Sequence, residues 1–153
     1  MTQLNYAHQT TPPTTLLDVQ QYHGAGYAPV IDFGAWRVAT LNYSPDMLPE
    51  AIQQMERHLA SDEVFVLLAG QCILYLGEGD TTIERIHAVK MEPRQYYNVK
   101  KDGWHACTLS LDAVVLIVEN QDTSTLNSSY IQLSPAQQVE LAGLGKTLLK
   151  KPR

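Results

Sequence analysis

The stretch Glu56-Arg57-His58-Leu59-Ala60-Ser61-Asp62-Glu63-Val64-Phe65-Val66-Leu67-Leu68-Ala69-Gly70 decides how this chain folds. Its second half is an apolar, partly β-branched run closed by glycine, which by composition and length is a strand. By the two-residue period of a strand, Glu63 shares a face with Phe65 and Leu67. An ionised carboxylate on a core-facing row is costly unless it is paired or bound to a metal. Residues 59–62 read as a tight turn, and a hairpin through that turn brings His58 and Glu63 together on one sheet face. Before the turn the pattern is ambiguous. Ile52, Met55 and Leu59 fall at i, i+3 and i+7 behind Pro49, which by local pattern favours a helix over residues 49–59. On that helix Glu56 and His58 diverge by about 200°, whereas on a strand through residues 54–59 they share a face.

Outward from this stretch the chain is a series of short apolar runs, at residues 36–43, 64–76, 81–89, 96–99, 104–111 and 113–119. The separators are turn-forming, among them Ser44-Pro45-Asp46, Gly77-Glu78-Gly79-Asp80 and Lys100-Lys101-Asp102-Gly103. This is the spacing of an antiparallel sandwich or barrel, and residues 77–80 should close a hairpin. The one clear helix comes last. Ser134-Pro135-Ala136-Gln137 forms a capping box with proline at the first helical position, and Val139, Leu141, Leu144 and Leu148 supply an apolar side. Gly143 and Gly145 predict that its regular part stops early. The organisation expected is therefore an irregular N-terminal arm over residues 1–15, a barrel domain over 16–133, and a C-terminal helix with a basic tail over 134–153.

A chain of 153 residues, 44% hydrophobic and 18% charged, has material for one core. Its net charge of −5 is uneven: residues 1–133 carry 7 basic and 15 acidic groups, residues 134–153 carry 4 and 1. An acidic body repels a phosphate backbone, so nucleic-acid partners are not expected. No apolar run approaches membrane-spanning length, and residues 1–6 lack the pattern of a secretory signal. Cys72 and Cys107, far apart in sequence, read as two reduced thiols, which points to the cytoplasm.

A third residue joins His58 and Glu63 as a candidate. His105, between Trp104 and Ala106, lies on a later strand, and imidazoles with a carboxylate in a barrel mouth suit Fe(II), Mn(II), Zn(II) or Ni(II). Cys107 shares the period-two face of His105. His8, His23 and His87 read as surface or structural residues, and Tyr43, Tyr75, Tyr96 and Tyr97 are possible pocket walls. Gly77-Glu78-Gly79 is a turn with no helix behind it, so no nucleotide cofactor is expected.

These residues resemble the cupin superfamily, whose first motif runs G, five residues, HxH, three or four residues, E, six residues, G. His58, Glu63 and Gly70 match its second His, its Glu and its final Gly; Glu56 stands where the first His belongs and Glu50 where the opening Gly belongs. In the second motif, PxGxxH, three residues and N, His105 matches the histidine, with Lys100, Asp102 and Leu109 at the proline, glycine and asparagine. The resemblance covers about residues 35–120 and is similar to the small single-domain bacterial cupins. It implies an all-β fold, the double-stranded β-helix or jelly-roll barrel, with a short C-terminal helix added, and a strand over residues 54–58 in place of the local helix. It also implies a divalent metal held by His58, Glu63, His105 and Glu56, serving a small sugar-like or carboxylate molecule. For Glu56 a solvated surface charge is the simpler reading. A metal-free binding module, in which Glu63 and His105 pair directly, is the alternative. Open sheet edges and a loose arm suggest a homodimer.

Overall fold

The computed structural model describes residues 12–149. Ten strands and one α-helix follow in order, with a 3-10 turn at Pro45–Met47 between the second and third strands: β1 Gly26–Phe33, β2 Trp36–Asn42, β3 Gln54–His58, β4 Glu63–Ala69, β5 Cys72–Glu78, β6 Arg85–Lys90, β7 Tyr97–Val99, β8 Trp104–Leu109, β9 Val114–Asn120, β10 Ser128–Gln132 and α1 Pro135–Leu149. They form two five-stranded sheets, ordered β1-β2-β9-β4-β7 and β10-β3-β8-β5-β6, with antiparallel pairing throughout. This is an all-β jelly roll with one short C-terminal helix, as the sequence pattern and the resemblance anticipate.

The core divides by face. Between the sheets lie Leu41, Phe65, Leu67, Leu74, Val115 and Ile117; a second cluster of Met55, Ile73, Tyr75, Trp104 and Leu141 packs the outer face of the second sheet against α1. Period two decides who joins which: on β5, Cys72 and Leu74 go to the first cluster while Ile73 and Tyr75 go to the second. Among the described residues no helix is long and apolar enough to cross a membrane.

Several local expectations are corrected. Residues 54–58 are a strand, as the cupin resemblance implies and against the local helix pattern, because β3 is paired on both edges, with β10 and β8. The alternation that results sends Met55 into the outer cluster and Glu56 and His58 to the inner face, so tertiary pairing overrides the i, i+3, i+7 pattern. The run over residues 64–76 is two strands, broken at Gly70 in the left-handed region (φ +67°), where a Cβ would lie 2.5 Å from Ala113 Cα. Residues 77–80 do sit at the turn end of the β5–β6 hairpin: Gly77 and Glu78 finish β5, paired with Ile86 and Arg85, and the connection runs over residues 79–84. Neither β1 nor β10 is among the runs read from the sequence; both are edge strands, and β1 carries Pro29 and a register shift beside it.

The capping box at α1 forms: the Ser134 N–H donates to Gln137 Oε1 at 2.9 Å and the Gln137 N–H to Ser134 Oγ at 3.3 Å. The helix continues through Gly143 and Gly145 to Leu149. Packing compensates for poor propensity there, since a Cβ on Gly145 would lie 2.1 Å from the hydroxyl of buried Tyr75. Val139 faces solvent rather than the core. Residues 1–11, most of the expected arm, and the basic groups Lys150, Lys151 and Arg153 lie outside the described residues.

Candidate metal centre in the barrel mouth

The chain reaches the site at the corner between β3 and β4. These strands belong to different sheets, so His58 and Glu63 face each other across the barrel and not along one hairpin face. Asp62 pins the corner: its carboxylate accepts the Lys101 backbone N–H at 2.8 Å, the Lys100 ammonium at 3.0 Å and the Asn98 amide at 3.0 Å. Those donors, the Lys101 N–H foremost, hold the Asp62 carboxyl down at about 2. On the opposite sheet His105 is paired in register with Glu56. It follows a turn in which Asp102 adopts φ +64°, a conformation asparagine and aspartate tolerate better than other non-glycine residues. Asp102 thus does the conformational work of the glycine it replaces in the second motif.

His58, Glu63 and His105 converge. Glu63 Oε2 lies 3.1 Å from His58 Nε2 and 2.9 Å from His105 Nε2, and all three residues are buried, Glu63 with 6% and His105 with 3% exposure. Each ring is held from behind, His58 Nδ1 by Ser128 Oγ at 2.9 Å and His105 Nδ1–H by the Gly103 carbonyl at 3.0 Å. Because a carbonyl only accepts, His105 Nδ1 carries a proton, so the lone pair available to a metal once the ring is neutral is that of Nε2, on the Glu63 side. Despite its proximity to that carboxylate, His105 Nε2 makes no directed hydrogen bond.

The electrostatics follow from this contact. Burial pushes the Glu63 carboxyl up, but His105 and His58 together outweigh it and bring it down to about 2. The Glu63 hydrogen bond raises His58 against the cost of burial. For His105 burial is the largest influence and pulls downward, yet the Glu63 carboxylate carries the balance above the ordinary histidine value.

Glu56 is neither solvated away nor buried. Its side chain is 41% exposed, its Oε1 lies 4.0 Å from His105 Nε2, and it lines the cavity. Two trios have donor atoms mutually within 4.8 Å, the spacing of a group able to hold a metal ion: Glu56, His58 and His105, and His58, Glu63 and Glu119. The orphaned His105 nitrogen, the buried carboxylates and the mixed imidazole–carboxylate chemistry all fit a divalent cation.

Around this centre lies a cavity of about 750 Å³ with walls of different character. Along β3 and β10 three cross-strand pairs make a polar wall: His58 opposite Ser128, Glu56 opposite Tyr130, and Gln54 opposite Gln132, the last joined amide to amide at 2.8 Å. Leu41, Phe65 and Ile117 of the other sheet make an apolar wall.

Among the other residues singled out from sequence, Cys107 lines the cavity, Cys72 is buried, and both thiols are free. His87 is on the surface with Glu78 Oε1 at 2.6 Å, and His23 is exposed; His8 lies outside the described residues. The tyrosines at the cavity are Tyr27 and Tyr130, whereas Tyr75 packs under α1 and Tyr96 is exposed. Glu119 was also missed. Val115, Ile117 and Glu119 form one inward row on β9, the same period-two signal that marks Glu63.

No protein-family model matches the chain, and no curated protein does. Solved structures resemble it. A variant of Streptomyces Pac13 with uridine shares 14% identity over 77% of this chain and 88% of that one, with a TM-score of 0.51. A structure of Pac13 described as a unique nucleoside dehydratase shares 13% identity over the same fractions, with a TM-score of 0.50. A cupin-2 domain protein from Shewanella frigidimarina shares 13% identity over 71% of this chain and 88% of that one, at 0.47.

Proposed function

For this chain, whose fold is that of the cupins, we propose a divalent-metal site in the barrel mouth that serves a small polar molecule. His58, Glu63 and His105 hold the ion, with Glu56 beside them. The single observation behind this reading is the pair of Nε2 atoms converging on Glu63 Oε2 at 3.1 and 2.9 Å, each from a ring anchored through Nδ1. A metal-bound histidine is commonly held in this way, its other ring nitrogen hydrogen-bonded to a carbonyl, carboxylate or hydroxyl that fixes the ring's orientation. A bound divalent ion would supply Lewis-acid chemistry at coordination positions left open to the cavity.

The residues of the chain do the rest. Glu56, Tyr130, Gln54 and Gln132 offer hydrogen bonds to a ligand, while Phe65, Leu41 and Ile117 exclude water from its other side. The acidic carboxylates favour a neutral hydroxyl-bearing molecule, sugar-like in chemistry, over a carboxylate or a nucleic acid. Uridine, the molecule with Pac13, is of that kind and a natural first probe.

Elemental analysis of protein purified without a chelating tag, with melting curves in Fe(II), Mn(II), Zn(II) and Ni(II), tests the reading. A bound metal or a raised melting temperature is expected; neither one would sink it. A metal-free binding module is the second reading, supported by the direct His58–Glu63 hydrogen bond at 3.1 Å, and it predicts uridine binding unaltered by chelator. Assembly as a homodimer fits the exposed Ile31, Phe33 and Trp36 of the β1–β2 hairpin at a free sheet edge. Two free thiols suit a reducing compartment such as the cytoplasm.

A further inference from the structure

Glu119 sits at the end of β9 in a position that is electrostatically unfavourable without a cation. Val64 of β4 pairs with Val118 of β9, so Glu63 and Glu119 come next, side by side on adjacent strands. Both are buried, Glu119 with 7% exposure, and like charges directly opposite each other on a sheet destabilise it. The cation on Glu119's other flank is Arg37, its partner in the β2–β9 register, but Arg37 gives its Nε and Nη2 to Asp32 at 2.8 and 3.0 Å. Of the two histidines, His58 hydrogen-bonds Glu63 at 3.1 Å, and His105 Nε2 lies 2.9 Å from that same carboxylate. What holds Glu119 in place is the Tyr27 hydroxyl, which donates to its Oε1.

Resting on the metal reading above, we infer that Glu119 is itself a metal ligand and takes the position the sequence motif assigns to Glu56. Two observations meet there. Donor atoms of His58, Glu63 and Glu119 lie mutually within 4.8 Å, and all three residues are buried. His105 Nε2, also buried, is left without a hydrogen-bond partner at the same centre. A divalent ion cancels the repulsion between the two carboxylates, and the Tyr27 hydroxyl orients Glu119 as outer-shell donors orient ligating carboxylates. Glu56, half exposed and opposite Tyr130, is then free to face the ligand.

Zn(II) and Mn(II) titrations by calorimetry on the wild type, Glu119→Gln, Glu56→Gln and Tyr27→Phe test this, with melting curves of each metal-free protein. Glu119→Gln is expected to weaken binding at least about 100-fold and Tyr27→Phe about 10-fold, outer-shell losses being roughly 10–100-fold, while Glu56→Gln, which removes a neighbouring charge but no ligand, costs less than about 10-fold. Metal-free Glu119→Gln should melt at or above the wild-type temperature, because a buried like-charge contact is gone; this separates lost ligation from lost folding. If Glu119→Gln does not fold, the Tyr27→Phe loss carries the inference, and wild-type affinity in that variant overturns it. Wild-type affinity in Glu119→Gln, or a loss in Glu56→Gln as large as that expected for Glu119, overturns the inference and leaves the metal reading standing. No binding by the wild type overturns both.

Discussion

Glu63 and its two imidazoles form a small titrating unit whose pH dependence can be worked out from direction alone. The Glu63 carboxyl lies at about 2 in the fold, below its ordinary 4.5, so its contribution is complete above 4.5 and is lost as the pH falls toward 2. His58 and His105 are raised above 6.5, so theirs is complete below 6.5 and disappears as the pH climbs through the raised values. Burial raises Glu119, which therefore costs stability as the pH rises past 4.5 and moves the optimum toward the acid side. Metal-free protein should melt highest between about 4.5 and 6.5 and lower on both sides. Differential scanning calorimetry across pH checks this, and a melting temperature that keeps rising into alkali contradicts it. Zn(II) should lift the alkaline limb most, since the ion replaces protons on the imidazoles. At this scale the sequence was informative about type but not about partners: the inward parity of Glu63 could be read from Phe65 and Leu67, whereas Glu119 obeys the same rule beside Val115 and Ile117 and went unread for want of a motif.

Elements differ in how far local pattern determines them. For α1 it was nearly sufficient, since Ser134 and Gln137 cap it as their spacing says. Where local pattern failed, on β3 and on the length of α1, the deciding groups lie far away in the chain: β8 and β10 for the former, Tyr75 for the latter. The docking of α1 is anchored unevenly. Leu141 is fully buried against the second sheet, while Val139, two residues earlier and 74% exposed, touches little. Leu141→Ala should lower unfolding free energy by about 2–5 kcal/mol, and Val139→Ala should stay within about 0.5 kcal/mol of wild type. Chemical denaturation midpoints measure both; equal effects would mean that the helix docks through another face.

On the scale of the whole molecule, two sheets leave four edge strands, β1, β7, β10 and β6, and the apolar residues exposed at β1 single out that edge. Sedimentation should return a two-chain mass, reduced toward one chain by Phe33→Ser; a monomeric wild type would refute the dimer. The charge of −5 describes the solvated majority of carboxylates, while the barrel mouth collects the buried minority, Glu63 and Glu119, with Glu56 at its rim. Sequence by itself determined that the chain is all-β with a capped C-terminal helix, because strand period, turn residues and capping are local properties set by a few consecutive side chains. It also determined that Glu63 points inward, since parity along a strand needs no partner. Only the tertiary structure decided between the helix that local pattern favours on β3 and the strand that the resemblance implies, that His58 meets Glu63 across two sheets, and that Glu119 stands beside it. Those facts depend on which strands become neighbours, and pairing between segments tens of residues apart is set by the burial of the whole core rather than by the residues that end up in contact.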